Sequence, residues 1–277
     1  MRRLLAVAAG VAGARAVLRT LGSQEALHRT NFRGRTVSLA GGPALAAGAA
    51  VSAAVAAPSP AAAAAAFTAG VGSGAVGLYD DIVGSRPEQK TAKGFAGHLA
   101  ALREGRVTSG LVKIAGVGAA GLAASALLAA DPGRERRATR AGRAVDLLLG
   151  AGVIAGTANL LNLFDLRPGR AIKAGGLIGA PLSAGRAGGL AAGPLGVAAS
   201  VLPDDLDERV MLGDSGANAL GALLGVALAA RTGPAGRAAA LAGIAALTAA
   251  SEKVSFTKVI EANPVLRQFD ALGRRTS

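Results

Sequence analysis

"PAAAAAAFTAGVGSGAVGLYDDIVG", residues 60–84, decides how this chain folds. From Pro60 to Tyr79 there is no charged side chain, and Asp80 and Asp81 then stand side by side. An α-helix rises about 1.5 Å per residue, so a run of this length crosses a hydrocarbon layer about 30 Å thick. The residues are mostly alanine and glycine, whereas soluble cores lean on leucine, isoleucine and aromatics. Small residues let helices approach closely inside a bilayer, where no hydrophobic force drives them together. Within the stretch, "GSGAVG" (72–77) has the spacing of a dinucleotide loop, but that loop needs a strand before it and a helix start after it. Inside an apolar span, Gly70 and Gly74 read instead as sites of close helix packing.

The rest of the chain repeats the pattern. Of its 277 residues, 51% are hydrophobic and only 17% charged, and the mean hydropathy is +0.44, too apolar for an ordinary soluble domain. Further apolar segments fall near 3–20, 37–57, 107–130, 144–164, 171–185, 188–203, 216–231 and 235–251. With 60–80 they make about nine spans of an all-α, polytopic transmembrane bundle. These spans make one transmembrane domain over 1–251, and 252–277 is expected to be a cytoplasmic C-terminal tail. The first span contains Arg15, which costs at least about 2.5 kcal/mol at mid-bilayer unless it reaches the interface. The segments at 171–185 and 188–203 are short and glycine-rich, so they are expected to be tilted or broken. No cleavable signal peptide is expected. The absence of cysteine excludes disulfides and thiolate metal sites. The net charge of +13 is scattered between spans rather than gathered on one element, so anionic lipid and anionic substrate are expected, not nucleic acid.

Alternation sorts the connections into two faces. Residues 21–36, 81–106, 165–170, 204–215 and 252–277 share one, which holds more Lys and Arg and is therefore assigned to the cytoplasm. "GLYDDIVG" (77–84), "TANLLNLFDLRPGR" (157–170) and "MLGDSGANALG" (211–221) all open onto it, as do "HRTNFRGRTVSLAGG" (28–42) and the lysines of "PEQKTAKGFAGH" (87–98). Arg15, Arg19 and Lys113 fall within spans.

Each group has a plain reading beside a chemical one. Asp80 and Asp81 end a helix, a poor place for negative charge, so they call for a metal or a lysine partner. Asp214 suits the N-cap of the eighth span, and its flanking Gly213 and Gly216 would let backbone approach a ligand. Asn159, Asn162 and Asp165 recur every third residue on one side of a helix, as interhelical glue or as a ligand-reading surface. Lys90 and Lys93 suit a solvated loop or a phosphate. Asp204, Asp205, Asp207 and Glu208 read as an exposed loop face. Arg167, Arg170 and Lys173 bring positive charge beside Pro168, which turns the chain.

The order of these motifs resembles the polyprenyl-phosphate N-acetylhexosamine-1-phosphate transferase family, which includes the phospho-MurNAc-pentapeptide translocase and the GlcNAc-1-phosphate transferases. The likeness runs from about residue 28 to 232. It implies a multi-pass protein of the bacterial plasma membrane that moves a sugar-1-phosphate from a UDP-sugar to polyprenyl phosphate, releases UMP, and serves cell-envelope glycan synthesis. It further implies magnesium held by Asp214, with Asp80 and Asp81 at the lipid phosphate or the metal. Asn159, Asn162 and Asp165 would meet the nucleotide sugar, with Lys90, Lys93 and Arg167 as further substrate contacts. A homodimer is compatible with this reading. The chain departs from the family in two places: Pro168 stands where a second aspartate is expected, and the tail lacks a histidine loop and a last span. The alternative is a non-catalytic relative that binds polyprenyl phosphate or a partner enzyme.

Overall fold

The protein, seen in a computed structural model that describes residues 1–89, 94–133 and 139–275, is built almost wholly of helix. Twelve α-helices are defined among the described residues: α1 (Arg2–Leu21), α2 (Gly41–Ala56), α3 (Pro60–Val83), α4 (Gly94–Arg103), α5 (Ser109–Ala129), α6 (Arg140–Phe164), α7 (Arg170–Gly179), α8 (Gly189–Leu206), α9 (Gly213–Arg231), α10 (Pro234–Ser251), α11 (Phe256–Ala262) and α12 (Pro264–Ala271). Local chemistry sets several starts. Ser59, Thr108 and Thr139 each accept a backbone N–H two or three residues inside α3, α5 and α6, at 3.0–3.2 Å, and Pro60 occupies the first turn of α3.

Four helices, α1, α3, α5 and α6, are long and apolar enough to cross a membrane, and α10 with α11 makes a fifth if that pair is one span bent by 87°. Two expected segments differ in detail. The span expected from residue 37 begins at Gly41, because strand β1 (His28–Thr30) and strand β2 (Thr36–Ser38) pair antiparallel, with His28 opposite Ser38. The segment expected over 171–185 forms only the ten-residue α7, about 15 Å long, followed by a 3-10 turn at Pro181–Ser183. Gly169, at φ +73°, supplies the left-handed turn into α7.

Helix α9 is the axis of the bundle, buried along almost its whole length. Glycine makes this possible. A Cβ at Gly221 would lie 2.4 Å from the Thr157 carbonyl oxygen, and one at Gly77 2.3 Å from that of Asp214, so α6 and α3 touch α9 backbone to backbone. Gly70 packs on Ala50 and Leu223, and Gly74 on Ala46 and Ala219, the close packing expected of them. Arg15 finds a partner without leaving its helix, since its guanidinium meets Asp204 at 2.7 Å across the α1–α8 contact.

The connections gather at the two ends as alternation requires. At one end Met211 N–H donates to the Ser38 carbonyl, Arg29 to that of Asp81, Gly169 N–H to the Asp205 carboxylate, and Arg274 to the Pro168 carbonyl. At the other, Arg2 reaches the carbonyls of Val55 and Ala57, Ser59 meets Asp131, and Arg237 meets Asp146.

Candidate functional site

Asp80 and Asp81 are adjacent on the last turn of α3, so their side chains leave the helix about 100° apart and do different work. Asp80 points at α5, where the Lys113 ammonium lies 2.7 Å from its Oδ2. The same ammonium donates to Asp214 Oδ2, on the first turn of α9. Three helices thus converge on one positive charge, and the three side chains are between 13% and 25% exposed. Ser109, at the start of α5, adds a hydroxyl to Asp80, and its N–H donates to the Gln89 side chain at 3.0 Å.

Asp81 turns the other way and caps α9. The backbone N–H groups of Asp214 and Ser215 donate to its two carboxylate oxygens at 3.0 Å each. The N-cap role expected of Asp214 therefore belongs to a residue from another helix. Leu212 holds the N-cap position of α9 and supplies no side-chain bond, while Asp214 stands inside the helix and is left for the ammonium. Gly213 adopts φ +56°, and a Cβ there would lie 2.8 Å from both Asp81 oxygens, so the position needs glycine twice over.

The polar ladder of α6 runs toward this cluster. Asn159 is exposed, and Asn162 and Asp165 are half-buried. Asp165 closes α6 as its C-cap. Burial pushes its carboxyl well above the ordinary range, and the charges of Asp205, Asp214 and Asp81 push the same way. Beside it lies a cleft of about 170 Å³ lined by Thr30, Phe32, Asp165, Arg167, Asp205 and Glu208, among others. Arg167 stacks on the Phe32 ring with its guanidinium 4.5 Å from the ring centre, which holds a cation at the cleft mouth.

Several expectations need correction. Asp205 and Glu208 are buried rather than part of an exposed loop face. Asp205 accepts the Gly169 N–H at 2.6 Å, and Glu208 holds Arg33 at 2.9 Å and Asn31 at 2.6 Å. Arg170 and Lys173 do not join Arg167 at the site. Arg170 is buried in a two-point pair with Asp270, at 2.8 and 2.9 Å, and Lys173 binds the carbonyls of Asp270 and Leu272. The C-terminal segment has taken both cations. Phe164 likewise stacks on Phe256, with ring centres 4.9 Å apart. Lys90 and Lys93 lie outside the described residues.

Lys113 is the member of this cluster that sequence reasoning passed over. Its signal was present: it is the one charged side chain in the apolar helix α5, and ionisable groups inside spans are rare and mark sites. No family model, curated protein or solved structure matches the chain. The site must therefore be read from its own chemistry.

That chemistry is cation-seeking. Asp80, Asp81, Asp165 and Asp214 gather at one end of the bundle, and Asp80 and Asp214 share the Lys113 ammonium. Among the described residues no three acidic or histidine side chains are arranged to enclose a metal ion. Magnesium does not require such a cage, since it keeps several waters and binds through one or two carboxylates plus substrate phosphates. Asp80 and Asp214, already turned toward a shared positive charge, fit that requirement.

Proposed function

We propose that the protein is a membrane phosphoglycosyltransferase that moves a sugar-1-phosphate from a UDP-sugar to polyprenyl phosphate. The observation that carries this reading is the convergence of Asp80 and Asp214, from α3 and α9, on one cation at the helix ends. A lipid phosphate and a nucleotide diphosphate repel each other, so a site joining them needs cations held by carboxylates at the depth where lipid headgroup meets water. Asp80 and Asp214 would hold magnesium, which supplies charge neutralisation for the pyrophosphate. Lys113 is placed to take the lipid phosphate or the pyrophosphate once its carboxylates have another cation. Asn159, Asn162 and Asp165 present the nucleotide-reading side, and Arg167 a charge for a phosphate oxygen. In the reaction an oxygen of the lipid phosphate attacks the sugar-bearing phosphorus. The phosphoanhydride bond breaks, the bridging oxygen leaves with UMP, and the lipid keeps a diphosphate-linked sugar.

The same reading makes the protein a multi-pass component of the bacterial plasma membrane, with the site facing the cytoplasm where UDP-sugars are made, and places it in envelope glycan synthesis. Nine crossings follow if α1, α2, α3, α5, α6, α8, α9 and α10 each span and the short α7 crosses together with the turn at Pro181–Ser183. The rival is a relative that binds polyprenyl phosphate without turnover. Lys113 favours it, since an ammonium already bridges the carboxylates that a metal would need.

Incubating purified protein with polyprenyl phosphate, magnesium and a panel of UDP-sugars decides between them. The transferase reading expects UMP from at least one donor. Lipid binding without UMP from any donor establishes the rival.

A further inference from the structure

The last helices of the chain have two unlike faces, and only one is explained by the bundle. The inner face is clamped. Phe256 stacks on Phe164, the Thr257 hydroxyl accepts from Arg170 at 2.8 Å, and Asp270 is gripped by Arg170 and Arg274. The segment is therefore held in one orientation. Its outer face carries Val259 on α11, Val265, Leu266 and Phe269 on α12, and Leu272 just after it, all exposed, with Val265 at 74% and Leu272 at 65%. Positions 265, 266 and 269 fall on one stripe of the helix, while Asp270 points inward. Lys253, Lys258 and Arg267 are exposed around this stripe.

Geometry says what lies against that face. Helix α10 starts at the end of the bundle marked by the Arg237–Asp146 pair and finishes at the end that holds the site. The chain then turns by 87°, so α11 runs perpendicular to α10 instead of continuing along it. If α10 runs along the membrane normal, α11 lies in the plane of the interface. Residues 252–275 contain five basic and three acidic side chains, of which Arg274 and Asp270 are paired inward, leaving four basic against the exposed Glu252 and Glu261. An apolar stripe with an excess of exposed basic residues, on the segment that follows this turn, matches a bilayer surface bearing negative headgroups.

We propose that residues 252–275 form an interfacial strap that rests on the anionic surface of the membrane. It does so at the same end as the carboxylate cluster, and the Arg170–Asp270 pair ties it to the 165–170 turn that lines the cleft. This inference goes beyond the transferase reading and stands whether or not the protein turns over.

The chain contains no tryptophan, so Val265→Trp gives a single fluorophore in the full-length protein. It is reconstituted in vesicles of phosphatidylcholine alone or mixed with phosphatidylglycerol, with bromine placed on shallow acyl positions. The strap predicts strong quenching by the brominated lipid, weak quenching by aqueous iodide, and a severalfold larger ratio of the two with phosphatidylglycerol. The triple variant Lys253→Gln, Lys258→Gln, Arg267→Gln should lose the phosphatidylglycerol preference while keeping its fold. Free access of iodide in both vesicles overturns the proposal. So does equal protection in the two lipids. Protection that rises with the protein-to-lipid ratio assigns the face to a second copy of the chain and overturns it as well.

Discussion

Asp80, Asp81 and Asp214 are three carboxylates within one cluster, yet their partners give them separate tasks, and mutation should separate them. Asp81 spends both oxygens on the α9 amides, so Asp81→Ala removes a cap and should cost about 1–2 kcal/mol, read as a lower unfolding midpoint in detergent. Asp214→Asn leaves that cap in place and removes a charge aimed at the shared cation. It should cut UMP release by about a thousandfold with an unchanged midpoint. If Asp214→Asn turns over near the wild-type rate, the metal assignment fails. Lys113→Gln gives a third outcome: with its ammonium gone, Asp80 and Asp214 face each other unpaired, and magnesium should raise the unfolding midpoint more than it does in the wild type. An equal or smaller magnesium effect would show that the lysine does not stand in the cation's place.

At the scale of elements, packing without side chains is what holds α9. A methyl group at Gly221 would meet the backbone of Thr157 and Ala158, which cannot swing aside as a side-chain tip can. Gly221→Ala should therefore cost about 1–3 kcal/mol and leave ligand binding little changed in the folded fraction. An unchanged midpoint would mean that α6 and α9 separate freely. The C-terminal helices are held by charge instead. Burial raises the Asp270 carboxyl, but bonds from Arg170 and Arg274 outweigh it and keep the group below its ordinary value of 3.8. A carboxyl lowered in the folded state contributes stability that is complete above the unfolded value and lost as pH falls through the folded one. Spin labels at Ser85→Cys and Gln268→Cys should thus give a narrow distance distribution at neutral pH that broadens only as pH falls below the ordinary carboxyl value of 3.8. Broadening already near pH 6 would assign the docking to some other group.

For the whole molecule, the question is which end faces the cytoplasm. The connection after α3 and the start of α6 lie at opposite ends, and Ser85 and Thr139 are both exposed there. Because the chain has no cysteine, single cysteines at these positions can be labelled with an impermeant thiol reagent in intact cells. Thr139→Cys should react and Ser85→Cys should be shielded. Labelling of Ser85→Cys from outside would turn the site away from cytoplasmic UDP-sugars and remove the donor from the proposed reaction.

The helical class and the apolar helices of the bundle were legible in the sequence, whereas α4, α11 and α12 fall in stretches read as a loop and a tail. Apolar run length and the alternation of connections carry that information locally, and the alanine and glycine content announces close packing. The strand pair at 28–38 was not legible, because its pattern merges with the apolar run of α2 and only pairing across a turn reveals it. Nor were the partners of the charges. Asp81 rather than Asp214 caps α9, and the lysine that meets Asp80 is Lys113 of α5. Arg170 and Lys173 belong to a tail about a hundred residues away. A charge in a low-dielectric bundle must find its opposite wherever the fold brings one near. The sequence states that such a partner is required, and only the tertiary structure selects which one.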